Sequence, residues 1–422
     1  MTTADGNIIG TDIVVNHGLP SQRWNLVVLG DGYRESELIK YRYDVQNFID
    51  KLKDTKPFDD LWNAINVYRI DILSTDSGAD DPVACGGTGA TPATYFDSTF
   101  CAFGGIQRAL TVNNTTAIQV ANNRLPEWDM ILVLVNSPIY GGTGGGVAVS
   151  STNSSASEIV IHEIGHTAFG LADEYEYYAG CGSGEVGHDV YTGSEPFEPN
   201  VTINTDRNTN KWRHLILPTT PMPTTSNANC TQCDPQPSPV PQGTVGTFEG
   251  AKYFHCGIYR PEFNCKMRAL GPPFCAVCRE VIRNTFSPFL IPITQIKLTV
   301  TTGNRDIDDD NRVFLGFGGR EFRCRLSNDN NANPFHLRNN TVTLIFGSGS
   351  NVEDSTINDP RNPLMDISDA TNFPVYIRLQ PKSNSWDILS ATVETFPQTS
   401  IFSIKYPGIV IGDDSGEKVD LA

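Results

Sequence analysis

Residues 129–135 of this 422-residue chain, DMILVLV, form an apolar stretch with almost no polar interruption. A strand of this kind has no solvent-facing side, so the fold must cover it on both faces. The stretches WNLVVL at 24–29 and INVYRIDIL at 65–73 have the same character, and apolar residues recur at helical spacing from 38 to 52. Buried strands with helical residues between them predict an α/β sheet.

The pattern changes twice beyond this region. Pro, Thr, Asn, Ser and Gly dominate residues 179–250, which predicts long irregular loops pinned by cysteines. From about residue 292, short segments alternate apolar and polar residues, as half-buried strands do. We therefore predict an α/β (α+β) domain over residues 1–290, followed by an all-β sandwich domain over residues 291–422.

The charge of the chain restricts its partners. It has 48 acidic and 31 basic residues, which give a formal net charge of −17. Phosphate backbones repel a chain this acidic, so we expect no nucleic-acid partner. No apolar run approaches the roughly 20 residues that a membrane-spanning helix needs, so we expect no membrane span.

The ten cysteines bear on the compartment. An even number, spread through loop-like segments, predicts disulfides and therefore a secreted, extracellular protein. The N-terminus shows no signal peptide, so this prediction supposes a leader that the sequence does not include. The alternative is a cytosolic protein whose thiols bind metal.

The spacing of particular cysteines gives two narrower expectations. Cys85 and Cys101 flank a loop and are candidates for one disulfide. The pairs CxxC at 230–233 and 275–278 would together make a four-cysteine zinc site, but their separation exceeds the usual spacing. We therefore expect disulfides at these positions.

The segment SEIVIHEIGHTAFGLADEYEYY, residues 157–178, carries the pattern HExxH. On a helix, positions i and i+4 share a face, so His162 and His166 can bind one Zn²⁺ ion. Glu163 can then act as the general base on a water molecule at the metal. Ser155 and Glu158 have the spacing of a capping box at the start of this helix. The alternative is a helix with two ordinary histidines and a solvated glutamate.

A catalytic zinc site usually has three protein ligands and one open position. Gly170 predicts the end of the helix, because glycine readily adopts the left-handed conformation there. Asp173 follows that turn and is the candidate third ligand, with Glu174 as the alternative. A further alternative is that Asp173 only hydrogen-bonds a ligating histidine.

The stretch HEIGHTAFGLADEY resembles the zinc peptidase family typified by bacterial IgA-cleaving metallopeptidases. VVLGDGY at 27–33 and the segment from Tyr259-Arg-Pro to Met267-Arg are similar to further landmarks of that family. The resemblance covers about residues 20–290 and implies a metzincin-like fold and proteolytic activity. It also implies that Met267 lies beneath the metal. The spacing departs from the metzincin pattern by one residue inserted between His166 and Gly170.

These expectations combine into a secreted zinc endopeptidase that cleaves proteins or glycoproteins. Tyr259 is the candidate second electrophile, because it lies on the segment that leads to Met267. The strand at 147–149 would pair with an extended substrate. Two alternatives remain: a catalytically inactive glycoprotein- or surface-binding protein of the same fold, and a zinc hydrolase that acts on a non-peptide bond.

Two features concern the C-terminal domain. The acidic run Asp306–Asp310 predicts a structural Ca²⁺ site because oxygen ligands cluster there, with a solvated acidic turn as the alternative. Residues 302–303 (TG), 311–315 (NRVFL) and 386–389 (WDIL) are weakly similar to PLAT-type lipid- or protein-binding β-sandwiches. This similarity implies an accessory module that binds a surface or the substrate.

Overall fold

A computed structural model describes residues 5–177, 188–232, 238–308, 311–327, 333–380, 385–397, 401–412 and 418–421. The chain divides into two compact units, Met1–Phe289 and Leu290–Ala422. None of the helices among the described residues combines the length and the apolar character that crossing a membrane requires.

Among the described residues, the first unit is built on a six-stranded sheet of order β1-β3-β2-β4-β6-β5. Its strands are β1 (Gly6–Val15), β2 (Trp24–Asp31), β3 (Ile65–Ser74), β4 (Met130–Val135), β5 (Gly142–Thr143) and β6 (Ala148–Ser151). The inner strands β3, β2, β4 and β6 are parallel, whereas the edge strands β1 and β5 are antiparallel to their neighbours. All residues of β2 and β4 are buried, as their apolar sequences predict.

Helices and a hairpin complete this unit. They are α1 (Leu38–Lys53), α2 (Ala102–Gly105), α3 (Asn114–Arg124), α4 (Ala156–Phe169), α5 (Ala276–Phe286), and the hairpin strands β7 (Phe248–Ala251) and β8 (Phe254–Arg260). The apolar positions predicted on α1 are its buried face. Tyr41 on that face donates its hydroxyl hydrogen to the carbonyls of Val28 (3.0 Å) and Ile70 (3.1 Å), so α1 is fixed to β2 and β3.

An aromatic cluster connects α4 with α5. Phe58 packs against Phe169, Phe274 and Phe286, with ring centroids 6.0, 6.2 and 5.9 Å away. Phe169 is the last residue of α4 and Phe286 the last residue of α5. Burial of such rings is the main source of stability in a core, so this cluster fixes the C-terminal end of α4.

The second unit is mainly β. Its two four-stranded sheets, as described, have the orders β11-β10-β13-β16 and β12-β9-β14-β15. The strands are β9 (Gln295–Thr302), β10 (Arg312–Phe317), β11 (Arg320–Arg323), β12 (Thr341–Gly347), β13 (Val375–Gln380), β14 (Trp386–Phe396), β15 (Ile401–Ile411) and β16 (Lys418–Leu421), with a short helix α6 (Asp369–Asn372). Apolar side chains from both sheets form one core. In β9 buried and partly exposed residues alternate strictly, which is the predicted period of two.

The structure leaves the calcium expectation untested. Asp309 and Asp310 lie outside the described residues. Within the same run, Asp306 accepts a hydrogen bond of 3.0 Å from Arg338 Nε. The ion pair lowers the pKa of Asp306.

Glu158 links three segments of the first unit. Its Oε1 lies 2.7 Å from Lys51 Nζ of α1, and its Oε2 accepts hydrogen bonds from the buried Lys266 and from the backbone of Gly271. Burial raises the pKa of Glu158, but the two lysines outweigh it and lower the pKa from 4.5 to about 2. The predicted capping box is therefore wrong, since Ser155 makes no side-chain cap and Glu158 is engaged elsewhere.

We predict that Glu158→Gln lowers the free energy of unfolding by about 1 to 2 kcal/mol at pH 7, because Lys266 loses its charged partner. A carboxylate whose pKa is lowered in the folded state stabilises that state. The stabilisation is complete at pH values above the unfolded pKa of 4.5. This contribution disappears as the pH falls towards about 2. Urea unfolding of both proteins at several pH values measures the difference. Equal stability at pH 7, or an equal loss in the exposed control Glu127→Gln, would contradict the prediction.

Candidate metal centre

Helix α4 places the HExxH residues at the end of the sheet. It follows β6 directly, and its buried face consists of residues 159–161, 164, 165 and 169. The helix ends at Gly170, which has φ +61° and so adopts the predicted left-handed conformation. The turn directs the next segment back towards the two histidines.

Three ligand-type atoms converge beside α4. His162 Nε2 lies 3.2 Å from His166 Nε2, and Asp173 Oδ1 lies 3.0 and 3.2 Å from these two nitrogens. In a tetrahedral site with metal–ligand bonds of about 2.0 Å, neighbouring ligand atoms lie about 3.3 Å apart. The spacing of the three atoms therefore fits a single zinc-sized ion.

The hydrogen bonds of the two imidazoles support the same conclusion. Nδ1 of His162 lies 2.9 Å from the carbonyl oxygen of Lys266, and Nδ1 of His166 lies 2.7 Å from that of Leu171. A neutral imidazole that donates from Nδ1 keeps a lone pair on Nε2. Asp173 Oδ1 is buried and has no hydrogen-bond partner in the described part of the chain. Lone pairs that face one another in this way are unfavourable unless a cation lies between them.

The pKa values of these groups reflect the close approach of their charges. Burial lowers the pKa of each imidazole, but the carboxylate of Asp173 outweighs it and raises the pKa of His162, and that of His166 to about 9. Burial also raises the pKa of Glu163. In the metal-free protein, protons would therefore lie between these groups. A metal ion that binds there would displace those protons.

A cavity of about 350 Å³ contains this group. Its lining includes His162, Glu163, His166, Asp173, Arg108, Tyr175, Tyr253 and the glycine-rich segment 142–145. The segment approaches α4 so closely that a Cβ on Gly144 would lie 2.7 Å from His166 Cβ and 3.2 Å from Glu163 Oε2. Glycine is therefore required at position 144 for the present geometry.

Two tyrosines contribute to the cavity, and neither is Tyr259. Tyr253 donates its hydroxyl hydrogen to Asp173 Oδ2 over 2.5 Å, and the rings of Tyr175 and Tyr253 lie 5.3 Å apart. Burial and the charge of Asp173 raise the pKa of Tyr175. The structure does not bring Tyr259 to this site: its hydroxyl lies 3.5 Å from Glu249 Oε1, and its ring is not part of the cavity lining. Tyr259 is the cross-strand partner of Glu249 in the β7–β8 hairpin.

The tip of this hairpin supports Asp173, the candidate third ligand. Lys252 and Tyr253 have φ values of +49° and +72°, which are uncommon for residues other than glycine. Their N–H groups donate to the carbonyls of Asp173 and Tyr175, each over 2.9 Å. The strained turn thus places both the backbone and the phenol of Tyr253 against the Asp173 segment. No pattern in the sequence pointed to Tyr253, whereas Tyr175 directly follows the Asp-Glu pair.

Met267 lies where the resemblance implies. It is fully buried, and a Cβ on Gly165 would lie only 2.5 Å from its sulfur atom. Gly165 is the residue before His166, so the methionine packs directly beneath the turn of α4 that carries the candidate ligands. The carbonyl of Met267 also accepts a 2.7 Å hydrogen bond from the N–H of Glu174.

The strand expected to pair with a substrate is partly covered by β5. Strand β6 lies between β4 and β5, and Val149 already pairs with Thr143 of β5, so the part of residues 147–149 that β5 covers is Val149. The edge is β5, whose residue Gly142 already donates its N–H to the carbonyl of Arg108 over 3.2 Å. Residues 142–145 line the cavity beside His162, His166 and Asp173, and Gly144 approaches His166 and Glu163 most closely.

The cysteines divide into two classes. Cys85–Cys101 and Cys230–Cys256 are disulfides, the first as predicted and the second in agreement with the disulfide expected at Cys230. Cys181 and Cys233 lie outside the described residues. Cys275 and Cys278 were expected to form disulfides, and this is wrong: both are buried free thiols near Cys265 and Glu174.

We predict that Tyr253→Phe weakens zinc binding at His162, His166 and Asp173 about tenfold, because the phenol orients the carboxylate. Competition with a chromophoric chelator measures the dissociation constant. Tyr191→Phe is the matched control, since Tyr191 donates to the carbonyl of Ser194 and lies outside the cavity lining. An unchanged dissociation constant in Tyr253→Phe would contradict the orienting role.

Comparison with known proteins agrees with this geometry. Residues 13–234 and 237–286 match the sequence profile described as IgA Peptidase M64. A search of curated protein sequences gives no match. Because the profile covers well over half of the chain, the family assignment does not depend on the HExxH motif alone.

Solved structures give only partial alignments. Alpha toxin from Clostridium absonum aligns with a TM-score of 0.21 and 14% identity over 34% of this chain. Alpha-toxin from an avian strain of Clostridium perfringens aligns with a TM-score of 0.21 and 11% identity over 35% of this chain. The chain spans 38% and 40% of the lengths of these two toxins. Sequence and site together lead to one assignment: the chain belongs to the IgA Peptidase M64 family.

Proposed function

We propose that the chain is a secreted, zinc-dependent endopeptidase that hydrolyses peptide bonds of extracellular proteins or glycoproteins. The observation that carries this proposal is the convergence of His162, His166 and Asp173 beside Glu163 in one cavity. Membership of a peptidase family supports hydrolysis of peptide bonds. The residues 1–290 would then be a metzincin-like catalytic domain.

The ligand set fits zinc. Two imidazoles and one carboxylate are typical of catalytic zinc sites, which keep a further position open to the substrate side. The chemistry that such an ion supplies is Lewis acidity towards the scissile carbonyl and the attacking water. Glu163 is not one of the three converging ligands, so its carboxylate is available for proton transfer.

Glu163 is the proposed general base and acid. Its carboxylate would take a proton from the attacking water and later deliver it to the leaving amine. Desolvation raises the pKa of Glu163 towards the range in which both transfers are feasible.

Tyr175 and Arg108 replace Tyr259 as the proposed donors to the developing oxyanion. Both line the cavity with Glu163, whereas Tyr259 does not. A phenol and a guanidinium are suitable donors, because they stabilise the negative charge that forms on the carbonyl oxygen. Gly144–Gly145 would lie alongside an extended substrate, where the absence of side chains allows a close backbone approach.

The remaining parts of the proposal concern location and the second unit. The disulfides Cys85–Cys101 and Cys230–Cys256 are consistent with an oxidising compartment and support secretion. The β-rich unit from residue 291 to 422 would act as an accessory module that binds a surface or the substrate.

We expect Glu163→Gln to lower turnover by about 10²- to 10⁴-fold while zinc content is unchanged, because the variant loses only the proton acceptor. A glycoprotein mixture is incubated with each protein, and newly formed N-termini are counted by mass spectrometry. The exposed control Glu127→Gln should cleave like the wild type. Turnover of Glu163→Gln at the wild-type rate would reject the mechanism, and a zinc-loaded wild type that produces no new N-termini would favour the surface-binding alternative.

A second variant tests the glycine-rich segment. Gly144→Ala should reduce kcat at least tenfold, since its Cβ would displace His166 or Glu163 and misplacement by about 1 Å costs up to 10²-fold. Gly146→Ala is the matched control, because a Cβ there would meet no atom within 4 Å. Equal kcat values for the two variants would show that the close approach at Gly144 does not matter for the reaction.

A further inference from the structure

A second group of metal-binding side chains lies next to the first and has no role in the proposed reaction. It consists of Glu174, Cys265, Cys275 and Cys278, and we refer to it as the thiol cluster. One ligand atom from each residue lies within 4.8 Å of the others, and all four residues are buried. The three thiols form no disulfide.

The distances within the thiol cluster fit a tetrahedral ion. Cys265 Sγ and Cys278 Sγ are 3.8 Å apart, and Glu174 Oε1 lies 3.6 Å from Cys278 Sγ and 3.9 Å from Cys275 Sγ. With zinc–sulfur bonds of about 2.3 Å and zinc–oxygen bonds of about 2.0 Å, the expected separations are about 3.8 Å between sulfurs and about 3.5 Å from sulfur to oxygen. A disulfide would instead need about 2.05 Å between two sulfurs.

Backbone N–H groups point at the sulfur atoms. Cys265 Sγ accepts from the N–H groups of Met267 (3.5 Å) and Cys275 (3.3 Å), and Cys275 Sγ accepts from Cys278 (3.4 Å). Cys275 is also the N-cap of α5, where the helix dipole favours negative charge. Amide donors and a helix N-terminus both stabilise thiolates, and the thiolate is the form that binds metal.

Glu174 supplies an independent observation. Its side chain is fully buried, and Asn200 donates to Oε1 over 2.9 Å. Oε2 has no hydrogen-bond partner within the described ranges. A fully buried carboxylate with one unpartnered oxygen is a costly isolated anion, and a cation beside its Oε1 would offset that charge.

We propose that Glu174, Cys265, Cys275 and Cys278 bind a second zinc ion whose role is structural. Four protein ligands in a fully buried site leave no open position for a substrate, which distinguishes a structural from a catalytic zinc site. Three sulfur ligands favour zinc over magnesium or calcium, which prefer oxygen.

This second ion would fix the geometry of the first site. Glu174 follows Asp173 in the chain, and Cys265 lies two residues before Met267. The ion would therefore join the Asp173 segment, the segment beneath the proposed catalytic zinc and the start of α5. The thiol cluster positions Asp173 and does not touch the substrate; this consequence, unlike the second zinc itself, rests on the proposed function.

X-ray absorption at the zinc edge of the wild-type protein tests the proposal directly. The first site contains no sulfur ligand, so scattering from sulfur at about 2.3 Å reports on cysteine-bound zinc alone. We expect about three sulfur neighbours on one of two zinc ions per chain, and one zinc per chain with mainly sulfur neighbours in the double variant His162→Ala/His166→Ala. Zinc surrounded only by nitrogen and oxygen in the wild type would overturn the second site without affecting the first.

A matched pair of cysteine variants assigns the sulfur signal. Cys275→Ser should lose the sulfur-rich zinc and bind zinc at the first site at least tenfold more weakly. Cys324→Ser removes another buried free thiol, which lies in the second unit, and should keep both ions. Retention of the sulfur-rich zinc in Cys275→Ser would reject the assigned ligands. If Cys275→Ser does not fold, the absorption spectrum of the wild type and that of the double histidine variant still decide the question.

Discussion

The segment from residue 173 to 175 is held by three backbone hydrogen bonds, and both clusters of candidate metal-binding side chains depend on it. The hairpin tip at Lys252 and Tyr253 donates two of them from one side, and the carbonyl of Met267 accepts the third from the other. Backbone hydrogen bonds of this kind fix the direction of each side chain along the segment. A loop with fewer such partners would not hold a carboxylate within hydrogen-bonding distance of two imidazoles.

The sheet supplies the other half of the geometry. Strand β6 lies between β4 and β5, and α4 begins a few residues after it. The apolar face of α4 packs inward. His162 and His166 then point to the cavity together. The converging lone pairs at this site are unfavourable without a cation. Binding of the proposed metal ion would therefore be thermodynamically coupled to folding of this region.

The sequence predicts the local parts of this arrangement and misses those that depend on distant contacts. The HExxH spacing, the turn at Gly170 and the approach of Asp173 follow from helix geometry over a dozen residues.

Tyr253 reaches Asp173 from 80 positions away through a turn with unusual φ values, and no spacing rule reports such a contact. Tyr259 was chosen because it is near Met267 in sequence, but pairing within the hairpin directs it to Glu249. The spacing of the cysteines suggested only other cysteines as partners for the CxxC pair at 275–278. In the structure the carboxylate of Glu174 lies beside that pair.

The two carboxylates that the sequence offered as rival third ligands have separate partners in the fold. Asp173 and Tyr175 line the cavity, while Glu174 between them turns away and meets Cys275 and Cys278. One dipeptide thus contributes a carboxylate to each of the two candidate metal-binding clusters. The two acids are therefore not exchangeable, because moving the chain by one residue would place Glu174 at the histidines and leave the thiols without their carboxylate.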